Sequence, residues 1–150
     1  MSQSNPIRLF VTHAWAPNDD YLRVFEYLES ARNFYYRNHA TPDHPPAGDR
    51  EAEREDLRRQ IGPAEAVIAL PSVLQQNREL FLFQITFTQA CKKPVLMMRN
   101  FGDSAALPRQ LTDLADEVVE WDGRALVDAV KRKARHEDTN RWEVVEFKLD

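Results

Sequence analysis

AEAVIALPSVLQQNRELFLFQITFTQACKKPVLMM, residues 64–98, decides the fold. AEAVIALP (64–71) is a short apolar run of the length of a buried strand. RELFLFQITFTQACKK (78–93) is long enough, and apolar enough, to be a helix buried on most of its surface, and PVLMMR (94–99) is again a buried strand. Two buried strands joined by one helix form a crossover unit, because parallel strands cannot be linked by a tight turn.

The same alternation extends outward on both sides. Upstream, IRLFVT (7–12) reads as a strand. Asn18, Asp19 and Asp20 then open a helix over YLRVFEYLES, where acidic side chains suit the positive end of the helix dipole. Leu22, Phe25 and Leu28 recur at about one-turn spacing and predict its apolar stripe. NFYYR (33–37) predicts a second, short strand. Residues 38–50, NHATPDHPPAGDR, hold three prolines and a glycine and read as a loop, one long enough to suggest a function. EAEREDLRRQI (51–61) predicts a mostly solvated helix with Leu57 and Ile61 as its narrow contact, closed by Gly62-Pro63. Downstream come a short helix around LPRQLTDLA, a strand EVVEW and a helix RALVDAVKRKARH. The basic KRKARH run reads as a solvated face that also suits the negative helix end. The last segment, RWEVVEFKLD (141–150), reads as a sixth strand or an arm.

Alternating strands and helices of these lengths point to one α/β domain over residues 1–150, with its core at about 7–135. The expected architecture is a doubly wound parallel sheet of about five strands in the flavodoxin-like order 2-1-3-4-5. Ligands on such sheets sit at the carboxyl ends of the strands, at the point where strand order reverses. Thr12 to Trp15, Asn38, Pro71-Ser72 and Arg99-Asn100 fall on that edge.

Bulk properties narrow the function classes. Of the 150 residues, 43% are hydrophobic and 29% charged, the balance of a globular chain rather than a disordered or membrane one. A net charge of −4 argues against a nucleic-acid surface, which needs clustered cations. A single cysteine, Cys91, excludes an intramolecular disulfide and a cysteine-built zinc site; it reads as a small buried hydrophobe in a reducing, cytoplasmic setting. No basic-then-apolar leader and no 18-residue apolar span are present, so no membrane association is expected. Four glycines and no G-x-G-x-x-G or G-x-x-x-x-G-K-[ST] make a glycine-built phosphate cradle improbable. His39 and His44, with Asp43 between, lack metal-ligand spacing, and no metal is expected.

Several separated blocks, LFVTHAW, NFYYRNHATP, DLRRQIGPAEAVIAL, KKPVLMMR and LPRQLTDLADEVVEWDGRALVDAVK, occur in an order that resembles the TIR-like domains of bacterial antiphage Thoeris systems. The resemblance runs from about residue 7 to residue 131. It implies a flavodoxin-like TIR fold and cleavage of NAD⁺, as substrate rather than cofactor, at the nicotinamide–ribose bond to give an ADP-ribose-derived signal. It also implies self-association and a downstream effector protein that reads the nucleotide. The family carries Trp-x-x-x-Glu on the helix after the third strand, with the Glu catalytic. Ungapped counting places Leu80 at that Trp and Gln84 at that Glu.

Cleaving an N-glycosidic bond builds positive charge on the ribose, which a carboxylate stabilises and a neutral amide does not; the expected loss is roughly 10²-fold or more. Gln84 has a second reading, as an amide on the rim of a buried helix that satisfies backbone groups. Glu79 lies about 140° around the helix from Gln84 and cannot replace it. Asp43 and Asp49 reach the cleft only if their loop folds over it. For substrate binding the candidates are Thr12, His13, Trp15, Arg37, Asn38 and Arg99. Trp15 would stack on a nicotinamide or adenine ring, His13 would bond a ribose or phosphate, and Arg37 and Arg99 would pair with a diphosphate. Loop packing, strand-end hydroxyl satisfaction and surface ion pairs are their respective structural alternatives. A non-catalytic module that senses a nucleotide or assembles with other such domains is the competing function.

Overall fold

A computed structural model describes residues 1–137. Five strands, β1 (Ile7–Val11), β2 (Tyr36–Asn38), β3 (Ala66–Ala69), β4 (Val95–Met98) and β5 (Glu117–Val119), form one sheet in the order β2-β1-β3-β4-β5. Every pairing is parallel: Leu9 lies opposite Asn38 on one side and Ala66 on the other, and Ile68 opposite Leu96. This is the flavodoxin-like arrangement expected from the alternation. The stretch 64–98 supplies its centre, since all four residues of β3 and all four of β4 are buried.

The connections are α1 (Asp19–Glu29), α2 (Arg50–Ile61), α3 (Pro71–Gln76), α4 (Arg78–Ala90), α5 (Arg109–Thr112) and α6 (Gly123–Arg135). Right-handed crossovers put α1 and α6 on one face, where they pack together, and α2, α3 and α4 on the other. The four longest helices start the same way. Asn18, Asp49, Asn77 and Asp122 each accept a hydrogen bond from the backbone N–H three residues on. Such caps are each worth about 1 kcal/mol and fix where the chain leaves each strand. Gly123 begins α6 where the helix meets the end of α1, and a Cβ there would collide with the Ser30 hydroxyl.

Several expectations need correction. Tyr21, Val24 and Leu28 form the buried stripe of α1, whereas Leu22 is 63% exposed; the true stripe is the neighbouring i, i+3, i+7 row. Strand β2 lies at 36–38 rather than 33–37, because Asn33 turns the chain at φ +58 and only Tyr36 to Asn38 reach β1. A short helix, α3, occupies residues after β3 that had no assigned element, with Pro71 suited to its first turn. Cys91 is exposed at the end of α4, not buried, since the helix stops before carrying it under the sheet. The 141–150 segment lies outside the described residues. Among those described, no helix is long and apolar enough to cross a membrane.

Candidate functional site

The chain leaving β1 is held from three directions. The Thr12 N–H donates to Ile68 O (3.0 Å), and the Thr12 hydroxyl accepts from the Leu70 N–H (2.9 Å), so Thr12 ties β1 to the end of β3. From α4, Gln84 reaches under the next residue: its Oε1 accepts from the His13 N–H (3.1 Å), and its Nε2 donates to His13 O (2.7 Å) and Leu80 O (3.0 Å). Gln84 is 0% exposed. Both amide hydrogens and one oxygen lone pair are therefore used on main chain, in the pattern an amide can match and a carboxylate cannot.

His13 continues the network sideways. Gln60 Nε2 donates to the Asp56 carboxylate (2.9 Å), which leaves Gln60 Oε1 as an acceptor, and that oxygen takes both the Thr41 N–H (3.0 Å) and His13 Nε2 (2.8 Å). Nε2 thus carries the imidazole proton. Nδ1 in turn accepts from the Trp15 N–H (3.3 Å), which fits a neutral ring. Burial lowers the His13 pKa, an effect partly opposed by the Gln60 bond and by Asp56 and Asp43.

That shift fixes a pH dependence. In the unfolded chain His13 takes up a proton below about pH 6.5, whereas the folded site resists it, so its contribution is complete above that value and is lost as pH falls through the lower folded pKa. The midpoint of thermal unfolding should drop between pH 7 and pH 5, and His13→Gln should flatten that slope. An equal slope in the variant would assign the pH dependence to other groups, such as His39, whose pKa burial also lowers.

These ties place Trp15 at the edge of a cavity of about 450 Å³ beside the carboxyl end of β1. Trp15 has φ +53, a left-handed conformation costly for a bulky side chain. Its ring stands edge-on to His13 at 5.0 Å, and Tyr21 lies across from His13 at 6.4 Å. Asn38 acts from below: its Nδ2 donates to the Tyr21 hydroxyl (2.9 Å) and its Oδ1 accepts from the Ala40 N–H (3.0 Å). The long loop folds over the opening, with Pro42, Asp43 and Pro45 lining the cavity, whereas Asp49 is spent capping α2. Among the described residues the lining includes two carboxylates, Asp19 and Asp43, and neither Lys nor Arg.

The sequence-derived candidates therefore separate. His13 and Trp15 line the cavity, Asn38 positions Tyr21 in its wall, and Thr12 is a strand tie behind it. Gln84 sits beneath the His13 main chain and is not among the lining residues. Arg37 is exposed on β2 and does not line this cavity. Arg99 lines a different one, next to α3 and the loop after β4, where it pairs with Glu120 (3.1 Å) and donates to Ala105 O (3.3 Å). Tyr21 and Gln60 were missed. Tyr21 follows Asp19-Asp20 at the helix start and was there to be found; the Gln60 link to His13 spans 47 residues and has no local signal. No protein-family model matches this chain, and no curated protein matches it.

Proposed function

We propose that the chain is a TIR-like domain of bacterial antiphage signalling that takes an NAD⁺-type nucleotide by its pyridinium–ribose end in the cavity beside β1. The observation that carries this reading is the lining. Two aromatic rings and two carboxylates with no Lys or Arg favour a flat cation over an anion, through cation–π attraction and through the field of Asp19 and Asp43. A volume of about 450 Å³ suits one nucleoside half, leaving a diphosphate outside the acidic lining.

The ring charge supplies the test. NAD⁺ carries a cationic nicotinamide and NADH a neutral one of nearly the same shape. NAD⁺ should bind about 5- to 10-fold more tightly by calorimetry, equivalent to about 1–1.4 kcal/mol of charge recognition. Equal or tighter binding of NADH would remove the basis of the proposal.

Between turnover and sensing, the Gln84 contacts favour sensing. A side chain whose amide is consumed by His13 and Leu80 main chain brings neither charge nor a free donor to the ribose. Purified protein should release nicotinamide from NAD⁺ no faster than the uncatalysed reaction, and Gln84→Glu should not change this. A Gln84→Glu variant that releases nicotinamide would place position 84 at the ribose and return the domain to the glycohydrolase or cyclase class. Self-association and a downstream effector belong to the same proposal, and sedimentation with and without NAD⁺ tests the former.

A further inference from the structure

Among the described residues, four buried side-chain polar atoms have no hydrogen-bond partner: Trp15 Nε1, His39 Nε2, Arg99 Nε and Asn100 Oδ1. Buried polar atoms are ordinarily paired, so an orphan that lines a cavity marks a place where a ligand can complete the bonding. Trp15 belongs to the cavity described above. Arg99 and Asn100 both belong to a second one of about 340 Å³, at the carboxyl end of β4. Pro71, Leu74, Leu107 and Leu111 are among its apolar walls. Consecutive lining residues thus hold, behind the surface of a mainly aliphatic slot, one unused donor and one unused acceptor that a small side-chain rotation would bring to a ligand.

We propose that this second cavity is a nucleobase subsite, and that it takes the adenine half of the dinucleotide whose pyridinium half sits beside β1. The amino group of adenine donates and the neighbouring ring nitrogen accepts, matching Asn100 Oδ1 and the Arg99 Nε–H. A carboxamide offers the same pair, and because Arg99 is neutralised by Glu120 and Asp103 also lines the slot, nicotinamide mononucleotide is the competing ligand in the test. The span between the two cavities is also open. A shallow trough shares Pro17, Asn18 and Asp19 with the first cavity and Gln75 with the second. Among the described residues its one cationic side chain is Arg23, which pairs with Asp20 at 3.3 Å and lies over the Phe101 ring at 4.2 Å. The trough also carries the carboxylates of Asp19 and Asp20, so a diphosphate crossing it would have to draw Arg23 away from Asp20. The dinucleotide assignment rests on the nicotinamide reading above; the nucleobase subsite stands on the Arg99 and Asn100 geometry.

Nitrogen–proton NMR titrations with adenosine, nicotinamide mononucleotide and NAD⁺ separate the two. Adenosine should move the Leu74, Asn100 and Leu107 amides, and the mononucleotide those of His13, Asp19 and Tyr21. Ala106→Trp fills the second cavity from an exposed loop position. It should weaken adenosine and NAD⁺ at least tenfold while leaving the mononucleotide within twofold, and Arg99→Gln should weaken adenosine likewise. Adenosine that moves only the amides around β1, moves none, or binds both variants as it binds the unaltered chain overturns the subsite. Should adenosine behave as stated while the mononucleotide leaves His13, Asp19 and Tyr21 unmoved, the subsite is upheld and the pyridinium reading fails.

Discussion

Gln84→Glu is expected to lower the thermal unfolding midpoint at pH 7.5 by roughly 6–12 °C, from a loss of about 3 kcal/mol in a domain of this size. The amide makes two donations, to His13 O and Leu80 O, and one acceptance, from the His13 N–H, with no exposure to water. An ionised carboxylate would face two carbonyl oxygens at hydrogen-bonding distance, and a protonated one can donate to only one of them. The folded state therefore favours the protonated acid and holds its pKa above the unfolded value of about 4.3. A carboxyl raised on folding binds more protons in the native state, so the variant's deficit relative to the unaltered chain is smallest near pH 4. It widens as pH rises toward the folded pKa. Gln84→Leu is the control: it takes the partner from the His13 N–H and C=O without adding a charge, while Leu80 O keeps its helical bond, and its deficit should not follow pH. A Gln84→Glu midpoint within a degree of the parent at pH 5 and pH 8 alike would mean that the side chain at 84 is not committed to the main chain. That result would reopen the position to substrate.

Trp15→Gly should separate stability from binding. At φ +53 a tryptophan backbone is strained, and glycine adopts that geometry without cost, a relief of about 1 kcal/mol. Against this stands the lost packing of a partly buried indole on His13. The two effects oppose each other, and the unfolding midpoint should move by no more than about 3 °C. Affinity for NAD⁺ should fall at least tenfold, because the ring is one wall of the cavity and its Nε1 has no partner within the fold. Strain retained at a cavity wall is a common mark of binding sites. A variant that melts much lower yet binds NAD⁺ as before would make Trp15 a packing residue only.

Legibility in the sequence followed the range of the interactions. Helix and strand order were readable because burial of β3 and β4 writes itself as continuous apolar runs and because Asn18, with Asp19 and Asp20, announces the first helix locally; the caps at Asp49, Asn77 and Asp122 were seen only in the structure. The stripe of α1 was misplaced by one residue because Tyr21 and Val24 are as apolar a row as Leu22 and Phe25; only the sheet beneath selects between them. Cys91 was misjudged for a related reason, since the apolar run of α4 says nothing of where the helix stops, although Lys92 and Lys93 follow directly.

By itself the sequence determined the five-stranded α/β alternation, and from that the edge at which Thr12, His13, Trp15 and Asn38 would lie. Each of those inferences needs only local periodicity and the handedness of crossovers. Tertiary structure alone decided what the edge does with them. It brought the proline-framed loop over the β1 cavity so that Asp43 lines it, set Arg99 in a separate cavity, and turned the Gln84 amide onto the His13 main chain across 71 residues of sequence. Such pairings depend on which loops and helices pack side by side, and contacts of that range leave no pattern along the chain.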